Sequence, residues 1–155
     1  MVSLPLVGGC QCGALRYAVS APPLMIYNCH CTNCQTIGGG AFGTPATVLE
    51  ASFAFTDGRA AQIRVELGCR QSPLWTLLRR LREPHRARAD PRGRDLEPAR
   101  RTLDDTSWIE PVGDIWVRSK QPWVVLSKDR IQTEQQPGDY APFIERFRAQ
   151  GRFPS

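Results

Sequence analysis

Five cysteines lie within the first 34 residues, and their spacing limits what this chain can fold into more than any other feature. They form two groups: Cys10 and Cys12, separated by one residue, and the triplet Cys29, Cys31 and Cys34. Thiolates one or two residues apart can turn their sulfur atoms toward one point, as a tetrahedral metal ion requires. The pattern therefore predicts a zinc protein.

Disulfide bonds are the alternative explanation, because six cysteines in 155 residues also suit a secreted framework. The segment Met1–Leu6 has neither the basic region nor the long apolar run of a secretory signal, so we expect a cytoplasmic, reducing location. Cysteines one residue apart in an extended segment also lie too far apart for normal disulfide geometry. Both arguments favour metal ligation over disulfides.

The length and the hydropathy pattern indicate one mainly β domain over residues 1–155. Strands are predicted from two alternating segments and two β-rich runs, which are residues 14–19, 52–56, 115–118 and 123–126. No apolar run of 18 or more residues occurs, so we predict no membrane span.

A short helix is predicted near the C-terminus. Asp139 is placed to cap it, and Phe143 and Phe147 fall on one face, four residues apart. Bulky aromatic residues in a β domain most often fill the core, so we also expect buried side chains at Trp108, Trp116 and Trp123.

The net charge of +5 comes from one arginine-rich stretch. Between Arg79 and Arg101 there are nine arginines and four acidic residues, an excess equal to the entire net charge. Because the rest of the chain is neutral, the charge does not indicate a nucleic-acid partner. The stretch has no β alternation, and several prolines interrupt any long helix, so its composition predicts a disordered basic loop.

The two cysteine groups belong to a longer, ordered set of motifs. Gly9-Cys10-Gln11-Cys12-Gly13 and Cys29-His30-Cys31-Thr32-Asn33-Cys34 are followed by Ala41-Phe42-Gly43. A second block consists of Thr102-Leu103-Asp104-Asp105, Trp108, Ile115-Trp116, Ser119-Lys120 and Pro122-Trp123. Over residues 5–57 and 102–145 the chain resembles the glutathione-dependent formaldehyde-activating enzyme family, which includes centromere protein V. The resemblance implies packed, curled antiparallel sheets around two zinc sites.

The resemblance also implies a role for each cysteine group. Cys10 and Cys12 match half of a structural zinc site, but the later C-x-x-C pair of that site is absent here. Cys29, Cys31 and Cys34 match the triplet that holds a catalytic zinc with an open fourth position. We therefore expect one complete catalytic-type site, with these three as the catalytic residues, and one incomplete structural site.

The activity implied by the resemblance is that of a zinc-dependent carbon–sulfur lyase, similar to S-(hydroxymethyl)glutathione synthase. Its partners would be glutathione or another small thiol and formaldehyde or a related small aldehyde. A substrate thiol could enter the open zinc position and attack the carbonyl carbon. The alternative is a non-catalytic, zinc-stabilised binding module, including an impaired, frame-shifted product. His30 points away from its flanking cysteines in an extended segment, which favours packing or support of the metal ligands over a catalytic role.

The missing C-x-x-C pair should fall between Cys34 and Thr102, where Cys69 is the only cysteine. Codons for Leu78–His85 can be chosen so that a shift of one base reads Cys-Gly-Asp-Cys, which restores the motif. We hypothesise that residues 68–101 are an aberrant, frame-shifted segment and that Cys69 is an accident of frame. A lineage-specific basic insertion is the alternative.

Overall fold

The structure is a computed structural model that describes residues 1–10, 13–58 and 102–153. The chain divides into two compact units. The first comprises Met1–Val2, Pro23–Ala46 and Ser107–Ser155, and the second comprises Ser3–Pro22 and Thr47–Thr106. Cys12 and the predicted aberrant segment 68–101, with Cys69, lie outside the described residues. A single domain over residues 1–155, with a disordered basic segment, stays a prediction.

The described residues contain more strands than helices, as the sequence predicts. The strands are β1 (Leu6–Gly9), β2 (Arg16–Val19), β3 (Met25–Ile26), β4 (Asn28–Cys29), β5 (Ala46–Thr47), β6 (Phe53–Asp57), β7 (Gly113–Ile115) and β8 (Ile131–Thr133). The helices are α1 (Thr32–Gly38) and α2 (Ala141–Ala149), with short 3₁₀ turns at Glu50–Ser52 and Val117–Ser119. Neither helix within these ranges is long and apolar enough to cross a membrane.

The second unit contains an antiparallel sheet in the order β1-β2-β6, which agrees with the predicted alternation of residues 14–19 and 52–56. The alternate residues Tyr17 and Val19 are buried, because one face of β2 covers the core. The Tyr17 ring stacks on Phe53 with ring centres 5.0 Å apart. Leu103 bridges to Gly8 of β1, so the start of the second motif block pairs with the strand that leads into the first block.

The first unit contains a sheet in the order β4-β7-β8, and its three strands are parallel rather than antiparallel as predicted. The central strand β7 is buried along its whole length, which is typical of parallel strands covered on both faces. Its register places Asn28 opposite Asp114 and Cys29 opposite Ile115. The curling of the sheets around zinc stays a prediction.

Helix α2 packs against β3 of the first unit through the face that was predicted from its sequence. Phe143 and Phe147 are both buried there, and Pro142 lies in the first turn, where its missing N–H costs no hydrogen bond. The N-cap residue is Tyr140, one position later than predicted, although the Asp139 carboxylate accepts a hydrogen bond from the backbone N–H of Ala141 (2.8 Å).

Two predictions for the segment that follows β7 are wrong. The strand ends at Ile115 because Trp116 adopts the left-handed conformation (φ 59°) and the 3₁₀ turn follows. Residues 123–126 form no strand, and Trp123 is 71% exposed rather than part of the core. Trp108 is buried as predicted, and Trp116 is half-buried.

Candidate metal centre

The sulfur atoms of Cys29, Cys31 and Cys34 all lie within 4.8 Å of one another in the first unit. Cys29 and Cys34 are buried and Cys31 is half-buried. None of the four described cysteines forms a disulfide, including Cys10. Three thiols this close together form a group that could hold a metal ion, and it is the one the sequence predicts.

The local fold brings the triplet together by a tight transition from strand to helix. Cys29 ends β4 and forms a double backbone hydrogen bond with Gly43 (2.8 and 3.0 Å). Cys31 is the N-cap residue of α1, and its sulfur accepts a hydrogen bond from the backbone N–H of Cys34 (3.4 Å). An N-cap side chain normally accepts a hydrogen bond from a backbone N–H of the first helical turn, such as that of the residue three positions later. The C-x-x-C spacing therefore brings Cys34 close to Cys31.

Gly43 leaves the space that the third cysteine occupies. A Cβ atom at this position would lie 3.3 Å from the Cβ and 3.6 Å from the sulfur of Cys34. A larger side chain would therefore press on a thiol of the cluster. This contact gives a physical role to the Ala41-Phe42-Gly43 motif, which sequence reasoning quoted without assigning one.

The three thiols perturb one another's ionisation. Hydrogen bonds from Cys29 and Cys34 lower the pKa of Cys31, whose thiolate they stabilise. The hydrogen bond with Cys31 is the main cause that raises the pKa of Cys29, and hydrogen bonds with Cys29 and Cys31 raise the pKa of Cys34, with burial adding to both shifts. The close sulfurs thus shift the pKa values of their neighbours in opposite directions.

The geometry and the donor set fit zinc. A tetrahedral ion with Zn–S bonds of about 2.3 Å separates its sulfur ligands by about 3.8 Å, so the sulfurs at up to 4.8 Å need to approach by no more than about 1 Å. Three thiols also match the soft ligands that zinc prefers. The described cluster supplies three protein ligands, the number that catalytic zinc sites use when they keep one position open.

The side chain of His30 points into the protein and does not join the cluster of sulfurs. It is fully buried, and its Nε2 lies 2.9 Å from a carboxylate oxygen of Asp114 on β7. Its ring also lies 5.0 Å from that of Phe42. This position agrees with the packing role favoured by the sequence.

Asp114 is a buried carboxylate that sequence reasoning missed. Burial by itself would raise its pKa, but hydrogen bonds from His30 and Asn28 and the positive charge of Arg130 outweigh burial and lower the pKa. The Asn28 amide is held in turn by the Thr44 hydroxyl (2.9 Å). The available signal was an acidic residue inside the otherwise apolar segment 112–115.

Cys10 lies in the second unit, directly after β1, and is half-buried. Its backbone N–H donates to the carbonyl oxygen of Leu15, and its own carbonyl accepts from Gly13 (2.9 and 2.8 Å), which forms a tight turn. Cys12 lies outside the described residues, so the predicted structural half-site of Cys10 and Cys12 stays a prediction.

Comparison with known proteins supports the motif-based resemblance over the N-terminal part of the chain. The family described as "Glutathione-dependent formaldehyde-activating enzyme" matches residues 5–72, which include both cysteine groups and Ala41-Phe42-Gly43. The match ends inside the segment 68–101, and it does not extend to the second motif block, whose resemblance stays a prediction. No curated protein matches the chain.

Proposed function

We propose that this protein is a zinc-dependent carbon–sulfur lyase that acts on the adduct of a small thiol, such as glutathione, with formaldehyde or a related small aldehyde. One observation carries the proposal: the Cys29, Cys31 and Cys34 sulfurs lie within 4.8 Å of one another, inside the segment that matches a formaldehyde-activating family. In the synthetic direction the thiol sulfur bonds to the carbonyl carbon, and the thiol proton moves to the carbonyl oxygen. The lyase direction reverses both changes.

In this proposal the cysteine cluster mainly positions the substrate thiol, and its contribution as a Lewis acid toward the aldehyde is small. When bound, zinc would supply a fourth coordination position that holds a substrate thiol in its deprotonated form. Three thiolate ligands already donate charge to the site, so the cluster is better suited to orient the thiol than to polarise the aldehyde. The backbone bonds of Cys29 to Gly43 and the N-cap position of Cys31 would hold these two ligands in place for the metal.

The test compares Cys31→Ser with Cys69→Ser, a change to a cysteine outside both motif groups. Both variants and the parent are purified under reducing conditions, and zinc content and glutathione-dependent loss of formaldehyde are measured. We expect the parent and Cys69→Ser to bind zinc and consume formaldehyde, and Cys31→Ser to lose both properties, because two thiols do not hold zinc tightly.

Two outcomes would contradict the proposal in different ways. Zinc binding without thiol-dependent loss of formaldehyde would favour the non-catalytic, zinc-stabilised binding module. Formaldehyde consumption that survives in Cys31→Ser would place the chemistry outside the cluster.

A further inference from the structure

We propose that Gln35 is a positioning residue, which keeps the cysteine of β4 and the cysteines of α1 at the separation that zinc binding requires. This inference rests on the proposed zinc site. The residue follows Cys34 on α1 and is half-buried. Its side-chain amide donates to the carbonyl oxygen of His30 at 2.6 Å and to that of Ser119 at 2.8 Å. The amide oxygen accepts from the Gln121 side chain at 2.7 Å.

The carbonyl that Gln35 binds belongs to the peptide between His30 and Cys31. The Ser119 hydroxyl also donates to this carbonyl (3.1 Å), and the backbone N–H of His30 donates to Ile115 (3.0 Å). Both peptides that flank His30 are therefore fixed against the segment that leaves β7. Because these peptides carry Cys29 on one side and Cys31 on the other, their orientation sets the separation of the two sulfurs.

Gln35 also connects the third cysteine, Cys34, to this arrangement. Cys34 and Gln35 are neighbours in the first turns of α1, whereas Cys29 belongs to β4. The hydrogen bond from Gln35 to the His30 carbonyl ties α1, which carries Cys34, to the chain directly after β4, which carries Cys29. Hydrogen-bond partners that orient ligand residues typically change metal affinity 10- to 100-fold when removed, although they never touch the ion.

The side chain must be an amide for this role. Its –NH₂ group meets two carbonyl oxygens while its oxygen meets a donor, so all three contacts have matched polarity. A glutamate has almost the same shape, but its carboxylate would face two carbonyl oxygens without a proton to donate. Methionine keeps the length and apolar stem and removes every hydrogen bond.

The experiment measures zinc affinity by competition with a chelator, and the absorption spectrum of the cobalt(II)-substituted protein, for the parent, Gln35→Met and Gln35→Glu. Gln135→Met is the matched control, since Gln135 is an exposed glutamine in the loop after β8. We expect both Gln35 variants to bind zinc about 10-fold or more weakly and to change the thiolate-to-cobalt bands, with the control equal to the parent. Melting temperatures of the zinc-free proteins separate ligand positioning from general stability.

A lower melting temperature with unchanged zinc affinity and an unchanged cobalt spectrum would mean that Gln35 is only structural, which overturns the inference. If the parent binds no zinc, the proposed function fails and the inference fails with it. If the Gln35 variants do not fold, Ser119→Ala carries the test, because it removes the second donor to the His30 carbonyl, together with the hydroxyl's bond to the Trp116 carbonyl. We expect it to weaken zinc binding several-fold, and unchanged affinity in that variant would overturn the inference.

Discussion

Buried polar contacts hold single residues near the cluster in place, and Asp114 is one of them. Its carboxylate is 1% exposed, and it contacts His30 and Asn28 at hydrogen-bond distance while Arg130 lies 3.8 Å away. A buried charge is tolerated only when hydrogen bonds and opposite charges compensate for the loss of water. This residue is therefore a structural anchor between β4 and β7 rather than a member of the metal centre.

The lowered pKa of Asp114 predicts acid-dependent stability. The folded pKa lies below the value of about 3.9 in an unfolded chain, so the carboxylate stabilises the fold above about pH 4, and this contribution is lost as pH falls toward the folded pKa. We expect Asp114→Asn to lower the free energy of unfolding by about 1.5–3 kcal/mol at neutral pH, because charged hydrogen bonds become neutral ones.

Urea unfolding between pH 3 and pH 6 checks this prediction. The difference between the parent and Asp114→Asn should shrink as the pH falls, whereas Asp129→Asn, at an exposed position, should follow the parent at every pH. A difference that stays constant with pH would show that the carboxylate's charge contributes nothing.

At the scale of elements, the first unit depends on the close approach of α2 to β7. A Cβ atom added at Gly113 would lie 2.3 Å from the ring of Phe143 and 2.9 Å from the carbonyl oxygen of Ile131. The absence of a side chain thus lets the helix approach the central strand, while Ile131 of β8 lies opposite the same residue in the sheet. Three elements meet at one glycine.

Gly113→Ala is expected to lower the free energy of unfolding by about 1–3 kcal/mol, because the added methyl group overpacks a buried contact. Gly138→Ala is the matched control: among the described residues no atom lies within 4 Å of an added Cβ there, so its effect should stay within about 0.5 kcal/mol. Thermal or urea unfolding measures both variants. Equal stability of the two would mean that α2 shifts at no cost.

At the scale of the whole molecule, the start of the second motif block pairs with strands β1 and β2, although the long basic stretch separates them in sequence. Leu103 pairs with β1, and the backbone N–H of Asp104 donates to Val7 at 3.0 Å. The Asp104 side chain pairs with Arg16, and the Thr102 hydroxyl lies 2.8 Å from that of Tyr17. Within the second unit, the chain that follows the basic stretch thus completes the sheet edge begun by the N-terminal motifs.

The frameshift hypothesis predicts the zinc content of the whole chain. The present chain should carry about one zinc, because within residues 1–10, 13–58 and 102–153 only the triplet Cys29, Cys31 and Cys34 brings three thiols together. Restoring the shifted frame would replace residues 78–81 with Cys-Gly-Asp-Cys and supply two further ligands to Cys10 and Cys12. The restored chain should bind a second zinc and melt at a higher temperature, since structural zinc contributes to folding free energy.

Metal analysis and thermal unfolding of the two purified chains check this prediction. Two tightly bound zinc ions in the present chain, or no gain of metal after restoration, would contradict the frameshift hypothesis. The basic stretch would then need an explanation as an insertion.

The sequence alone was sufficient to predict the clustering of the cysteine triplet, the strands β2 and β6, and the buried face of α2. Each depends on spacing within a few residues: C-x-C and C-x-x-C for a common ligand point, alternation for a strand, and four residues for one helix face. Because each pattern spans only a few residues, the local backbone geometry determines where its side chains lie. The family match over residues 5–72 includes both cysteine groups.

Only the tertiary structure decided the parallel pairing of β4, β7 and β8, the burial of Asp114 and the position of Gln35. His30 and Asp114 are separated by 84 residues, as are Gln35 and Ser119. Pairings at this distance depend on which surfaces bury each other, and no local period encodes that choice. The same reason explains the exposed Trp123: its aromatic character predicts burial, but the chain after the left-handed Trp116 no longer runs along the sheet.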